Sequence, residues 1–231
     1  MKISRSRLEN LYKCKLCGYL EIKHEIKPPS IPFTLNIAVD GLLKKDFDKF
    51  RKTGEVPPVL DKLGKKFVPF KHPDLEIWRD SRSGLERTDP DSGIKMYGAV
   101  DDLWVDESGE IVVVDYKATA KASPVRSLGT ASYHDGYRRQ LDMYAWLVEG
   151  QGLKVAKSAY LFYVTARKEA DEFLGRLEFD PALIEHKVDQ SWIPKFLLDA
   201  KSIIEGPTPE PGSDCSQCQY RERVDQALGK K

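Results

Sequence analysis

The feature that most constrains this chain is a four-residue apolar run, Ile111-Val112-Val113-Val114, that ends in Asp115-Tyr116-Lys117. Four β-branched residues in a row read as a strand buried on both faces. Such a strand belongs inside a sheet covered by helices, which directs the chain towards an α/β fold. Side chains alternate along a strand, so Asp115 and Lys117 leave the same face. A charged pair emerging from a buried strand costs free energy unless it is paired or used.

Upstream lies Tyr97-Gly98-Ala99-Val100-Asp101-Asp102. The pattern predicts strands over 95–105 and 110–117, joined by the turn Asp106-Glu107-Ser108-Gly109. A hairpin register brings Asp101 beside Asp115, and a slip of one residue exchanges Asp101 for Asp102. Two carboxylates with a backbone carbonyl suit Mg²⁺, a hard cation that prefers oxygen. An ammonium beside them can orient a metal-bound water or neutralise a phosphate. The acid-x-Lys spacing has little weight alone. Glu21-Ile22-Lys23, Glu25-Ile26-Lys27, Glu185-His186-Lys187 and Asp199-Ala200-Lys201 share it. A structural ion pair at a sheet end is the alternative.

A helix is expected over 134–149, with Leu141, Tyr144, Ala145 and Val148 on one stripe. Gln140 and Tyr144, four apart, share a face of it. Gln140 can hold a water or a phosphate oxygen there; a border glutamine and a core tyrosine are the plainer reading. Elsewhere helices are expected over 4–12, capped by Ser4 or Ser6, and over 35–52, where Leu35, Val39, Leu42, Leu43, Phe47 and Phe50 recur at helical spacing. A strong strand is expected over 157–165, a weaker one over 173–179, and a mainly helical stretch over 182–204 that Pro194 interrupts. Residues 67–94 read as irregular. The order suits a mixed sheet rather than a regular βαβ series.

The length, 231 residues, suits one substantial core with an accessory layer. Net charge is only +1, so any nucleic-acid site must come from local clusters such as Lys44-Lys45, Lys49, Arg51-Lys52, Lys65-Lys66 and Arg138-Arg139. Each also reads as a solvated face. No run approaches the roughly 18 apolar residues of a membrane helix, and Met1–Arg7 is not followed by an apolar signal segment. No membrane association and a cytoplasmic location are expected.

All four cysteines fall in two pairs, Cys14-x-x-Cys17 and Cys215-x-x-Cys218. Two such pairs make a four-thiolate metal site that would clasp the two ends of the chain. Spacing does not separate Zn²⁺ from an iron–sulfur cluster, and isolated or redox-active thiols are the alternative use.

Gly98…Asp101, Asp115-Tyr116-Lys117 and Gln140-Leu141-Asp142-Met143-Tyr144, in this order, resemble the RecB-like branch of the PD-(D/E)XK nuclease superfamily. The resemblance implies a restriction-endonuclease-like α/β core with a central mixed sheet flanked by helices. It also implies a single domain over 1–231, its core near 95–180, with segments 1–34 and 205–231 forming the cysteine clasp. Asp101 and Asp115 would hold Mg²⁺ or Mn²⁺ with the Tyr116 carbonyl as a third ligand. Lys117 would be the catalytic lysine, and Gln140 and Tyr144 would shape the site. Where many members carry a metal-ligating histidine on an early helix, this chain has Asp40. Related nucleases of break repair and of CRISPR spacer acquisition clasp a cluster with cysteines from both ends. A structural [4Fe-4S] cluster is therefore the first expectation for Cys14, Cys17, Cys215 and Cys218, with Zn²⁺ as the alternative. The implied activity is metal-dependent hydrolysis of DNA, as single strands or duplex ends, in repair, recombination or CRISPR adaptation, with proteins of those systems as partners. The alternative is an inactive nuclease-fold scaffold that binds nucleic acid.

Overall fold

A computed structural model describes residues 1–29, 33–169, 172 and 174–229. Its elements, in chain order, are β1 (Lys2–Ser4), α1 (Arg5–Lys13), α2 (Lys15–His24), α3 (Thr34–Thr53), α4 (Pro58–Lys62), β2 (Val68–Pro69), α5 (Leu75–Arg79), β3 (Leu85–Thr88), β4 (Lys95–Gly98), β5 (Asp102–Val105), β6 (Ile111–Thr119), α6 (Ser132–Glu149), β7 (Ser158–Ala166), β8 (Phe179–Lys187), α7 (Ile193–Glu205) and α8 (Ser216–Ala227). They form two compact units. One comprises Met1–Ile31, Glu86–Tyr97 and Ser191–Lys231, and the other Pro32–Leu85 and Gly98–Gln190.

The second unit carries a five-stranded sheet in the order β2-β5-β6-β7-β8. β6 and β7 run parallel, and the other neighbours are antiparallel, so the sheet is mixed. The parallel pair needs a crossover, which α6 supplies. Burial on both faces explains the unbroken apolar run of β6. Val112, Val114 and Tyr116 pack with Trp104, Phe162 and Val164 under Val39 and Phe47 of α3. Phe47 stacks on Trp104 and Tyr116, with centroids 4.9 and 5.7 Å apart, and meets Phe162 edge-on. Gln140 of α6 reaches Asp115 from the other face. The expected stripe of α6 is buried, and Met143, Trp146 and Leu147 are buried too, so its C-terminal half is enclosed all round. On α3 the expected stripe is only partly covered: Val39 and Phe47 are buried, but Leu35 and Leu42 are exposed.

In the first unit, Ser4 caps α1, its Oγ accepting from the Arg7 N–H. α1 packs tightly on α2 at Gly18, where a Cβ would lie 2.2 Å from Leu11 Cα. The same unit holds a second sheet of order β1-β4-β3, with β1 and β4 parallel. Among the described residues, no helix is long and apolar enough to cross a membrane.

Three expectations need correction. The strand over 95–105 is two strands in two sheets. β4 joins β1 and β3, whereas β5 joins β2 and β6, and the chain turns between Gly98 and Asp102. The Val100 N–H donates to the Trp78 carbonyl at that turn. Gly84 passes so close that a Cβ on it would lie 2.6 Å from the Gly98 oxygen. Secondly, 67–94 is not irregular throughout, since it contributes β2, α5 and β3. Thirdly, the last strand lies at 179–187 and the following helix starts only at Ile193. Pro181 sits on an edge strand, where a missing N–H is tolerated. Pro194 lies in the first turn of α7, where a backbone N–H would have no helical partner and its absence breaks no helical hydrogen bond. Phe173, part of the strand expected over 173–179, lies outside the described residues.

Candidate active site

The catalytic candidates converge at one end of the five-stranded sheet. Asp102 pairs with Val114 in the β5–β6 ladder. Asp101, one residue upstream, therefore meets the β6 end bearing Asp115, and its Oδ2 accepts the Tyr116 N–H at 2.9 Å. Asp115 is 1% exposed. Its two oxygens accept from the Lys117 ammonium and, at 2.7 Å, from Gln140 Nε2. Gln140 also receives a long 3.5 Å contact from Lys117 at Oε1 and lies 3.5 Å from the Tyr144 hydroxyl. The i, i+4 spacing on α6 thus places an amide over the β6 acid and a phenol behind the amide.

Charge balance here is incomplete. Loss of water and the neighbouring Asp115 carboxylate together push Asp101 up to about 8, against the attraction of Lys117 and Lys44. Burial alone would lower the Lys117 pKa, but Asp115 and Asp101 hold it above its ordinary value, so Lys117 remains an ammonium. Its Nζ lies 4.8 Å from the Tyr137 ring centroid. Asp40, on α3, is brought to the same place by Lys44, whose ammonium is 2.9 Å from Asp40 Oδ2 and 3.7 Å from Asp101 Oδ1. Asp101 and Asp115, with Asp40 nearby, offer oxygen donors of the hard kind that a divalent cation prefers.

Asp102 has a different surrounding and resolves the register question. It is fully buried. Oδ1 accepts from Arg51 Nη2 at 2.5 Å, Arg79 Nη2 at 2.7 Å and its neighbour Leu103 N–H at 2.7 Å. Oδ2 accepts from the Tyr116 hydroxyl at 2.6 Å and Trp104 Nε1 at 3.1 Å. Asp48 closes the network against both arginines. Arg51, read from sequence within a basic cluster, therefore serves this buried network. Arg79, Asp48 and Tyr137 escaped the sequence reading, since no local pattern links them to Asp102 or Lys117. Arg138 pairs with Asp135 and donates to the Leu128 and Gly129 carbonyls, holding the loop before α6. His134, in the first turn of α6, is buried, and its Nδ1 accepts the Gly129 N–H.

Beside Lys117 lies a cavity of about 440 Å³. Phe33, Asn36, Ile37 and Asp40 line one side, and Tyr116, Lys117, Ala118 and Tyr137 the other. Phe33 and Ile37 are exposed.

The four cysteines meet within the first unit. Cys14 and Cys215 occupy the N-cap positions of α2 and α8, so Cys17 and Cys218 lie in the first turns. All are free thiols. Their sulfurs lie within 4.8 Å of one another, forming a group that can hold a metal.

The sequence profile of the PD-(D/E)XK nuclease superfamily matches residues 49–223. That span includes Asp101, Asp115, Lys117, Gln140, Tyr144, Cys215 and Cys218, and leaves out Cys14, Cys17 and Asp40. No curated protein matches the chain. Nine solved chains do. One of them, titled "Crystal structure of SSO0001", is 15% identical and covers 96% of this chain and 84% of its own, with a TM-score of 0.42. By the extent of the profile match, with a mixed sheet flanked by helices beneath it, this chain belongs to the PD-(D/E)XK nuclease superfamily.

Proposed function

We propose that the protein is a metal-dependent deoxyribonuclease of the RecB-like branch, acting on single-stranded DNA or duplex ends. The observation that carries this reading is the convergence of Asp101, Asp115, Lys117 and Gln140 at one sheet end. The order of these residues along the chain, with Gln140 and Tyr144 on the helix after β6, supports the branch. The profile match runs through segments of both units, which supports treating 1–231 as one domain.

Asp101 and Asp115, with the Tyr116 carbonyl and Asp40, would hold Mg²⁺ or Mn²⁺. The bound ion supplies Lewis acidity at the phosphate and a water of lowered pKa. Lys117 contributes a fixed positive charge, since its ammonium is retained, and so stabilises charge developing on phosphate oxygens rather than removing a proton. Gln140 holds Asp115 in place, and the Tyr144 hydroxyl stands behind the amide. A single strand is favoured because the cavity beside Lys117 carries Phe33 and Tyr137, on which an unpaired base can stack. Proteins of repair or CRISPR adaptation complexes are the partners this class of substrate suggests.

Lys44 favours a second reading, an inactive nucleic-acid-binding scaffold. Its ammonium pairs with Asp40 and faces Asp101, and so competes with a divalent ion for the same oxygens. Cleavage of labelled single- and double-stranded DNA with Mg²⁺, Mn²⁺ or EDTA, beside Lys117→Ala, separates the two. The enzyme reading expects metal-dependent cutting that the variant loses. Binding without cutting by the folded wild type supports the scaffold.

A further inference from the structure

We infer that the four-cysteine site holds a single zinc ion, and not the iron–sulfur cluster that the family resemblance implies. In a tetrahedral site with zinc–sulfur bonds of about 2.3 Å, neighbouring sulfurs stand about 3.8 Å apart. Here Cys14 and Cys218 are 3.7 Å apart, Cys17 and Cys215 3.6 Å, and Cys17 and Cys218 3.8 Å. The whole set lies within 4.8 Å. A [4Fe-4S] core binds each thiolate at a different iron and stands between all four sulfurs, so it requires a wider cage.

The surroundings close this cage further. Cys14 and Cys218 are buried, with Leu16 and Leu20 packed against them. At Gly212, a Cβ would lie 3.1 Å from Cys14 Sγ and 3.3 Å from Cys215 Cβ, so the loop before α8 presses on the sulfurs. Each cysteine pair spans one helical first turn, which fixes its bite through the backbone of α2 or α8. Two helix N-termini, with their positive dipole ends, then face the charge of four thiolates. Four protein ligands leave no open position, so the ion is structural.

The test is elemental analysis of the full chain expressed with iron and zinc both supplied and purified anaerobically. The expected result is one zinc per chain, with neither iron nor acid-labile sulfide. Titration with a mercurial thiol reagent should release that zinc in step with four thiols, and Cys215→Ser with Cys218→Ser should abolish its retention. Should that double variant fail to fold, Co²⁺ substitution of the wild type replaces it, and the intense visible bands of a tetrahedral tetrathiolate site are expected. About four irons and four sulfides per chain would overturn the proposal, as would protein isolated folded with neither metal. None of these readouts depends on cleavage, so the nuclease reading stands or falls separately.

Discussion

Asp101 and Asp102 are adjacent and chemically identical, yet one lies among too few positive charges and the other among a full complement. Asp102 accepts five hydrogen bonds, two of them from arginines. Asp101 accepts one backbone N–H, faces an ammonium at 3.7 Å, and feels the Asp115 carboxylate. The contrast teaches how to separate a structural acid from a site acid. A buried carboxylate whose lone pairs are all taken has nothing left to offer a metal. A carboxylate left short of positive charge has free lone pairs and a reason to accept a cation.

The largest effect that would break the comparison is on stability. Asp102→Ala leaves the buried guanidiniums of Arg51 and Arg79 with Asp48 as the one acid they still share in this network. It is expected to cost about 3–5 kcal/mol in chemical denaturation. A cost below about 1 kcal/mol would remove Asp102 from the structural class. Lys117→Ala is expected to act in the opposite way, reducing cleavage about 10²–10³-fold while leaving the fold intact, as for loss of one transition-state charge contact. Full activity in that variant would empty the site of its proposed chemistry.

A pH titration sharpens the contrast. Asp101 is raised from 3.8 to about 8. Between those values the unfolded chain has released a proton that the folded chain keeps, so the contribution of Asp101 to stability falls as pH rises through this window. Measured without divalent ions, this loss should disappear in Asp101→Asn. Added Mg²⁺ should bind more tightly as pH rises, because the ion displaces that proton. The smallest effect belongs to Lys44→Met. Removing a partly exposed ammonium is worth about 0.2–1 kcal/mol, so Mg²⁺ should bind a few-fold more tightly. Weaker binding would make Lys44 a helper rather than a competitor of the metal.

Much of the core was legible because its signals are local. The apolar run of β6, the strand β7, and the helical periodicities of α3 and α6 each need only their own residues. The candidate site was legible for a related reason. Asp115 and Lys117 share a face by strand geometry, and Gln140 and Tyr144 by helix geometry. The misses have non-local causes. Met96-Tyr97 and Leu103-Trp104-Val105 each suit a strand, but different sheets recruit these two ends of Lys95–Val105. Residues 179–187 have apolar residues that suit either period, and pairing with β7 decides for the strand. Arg79 reaches Asp102 across 23 positions, a link no window of sequence contains.

The chain alone thus determined which groups are available: two carboxylates and a lysine near a buried strand, an amide on the next helix, and two thiolate pairs at the ends. It did so because alternation and helical pitch are properties of the local backbone. Only the tertiary structure decided that Asp101 and not Asp102 faces the site, that Lys44 joins Asp40 to it, and that four sulfurs close to within 4.8 Å. Those outcomes depend on charges and backbone segments far apart in sequence, whose separations exist only once the chain has folded.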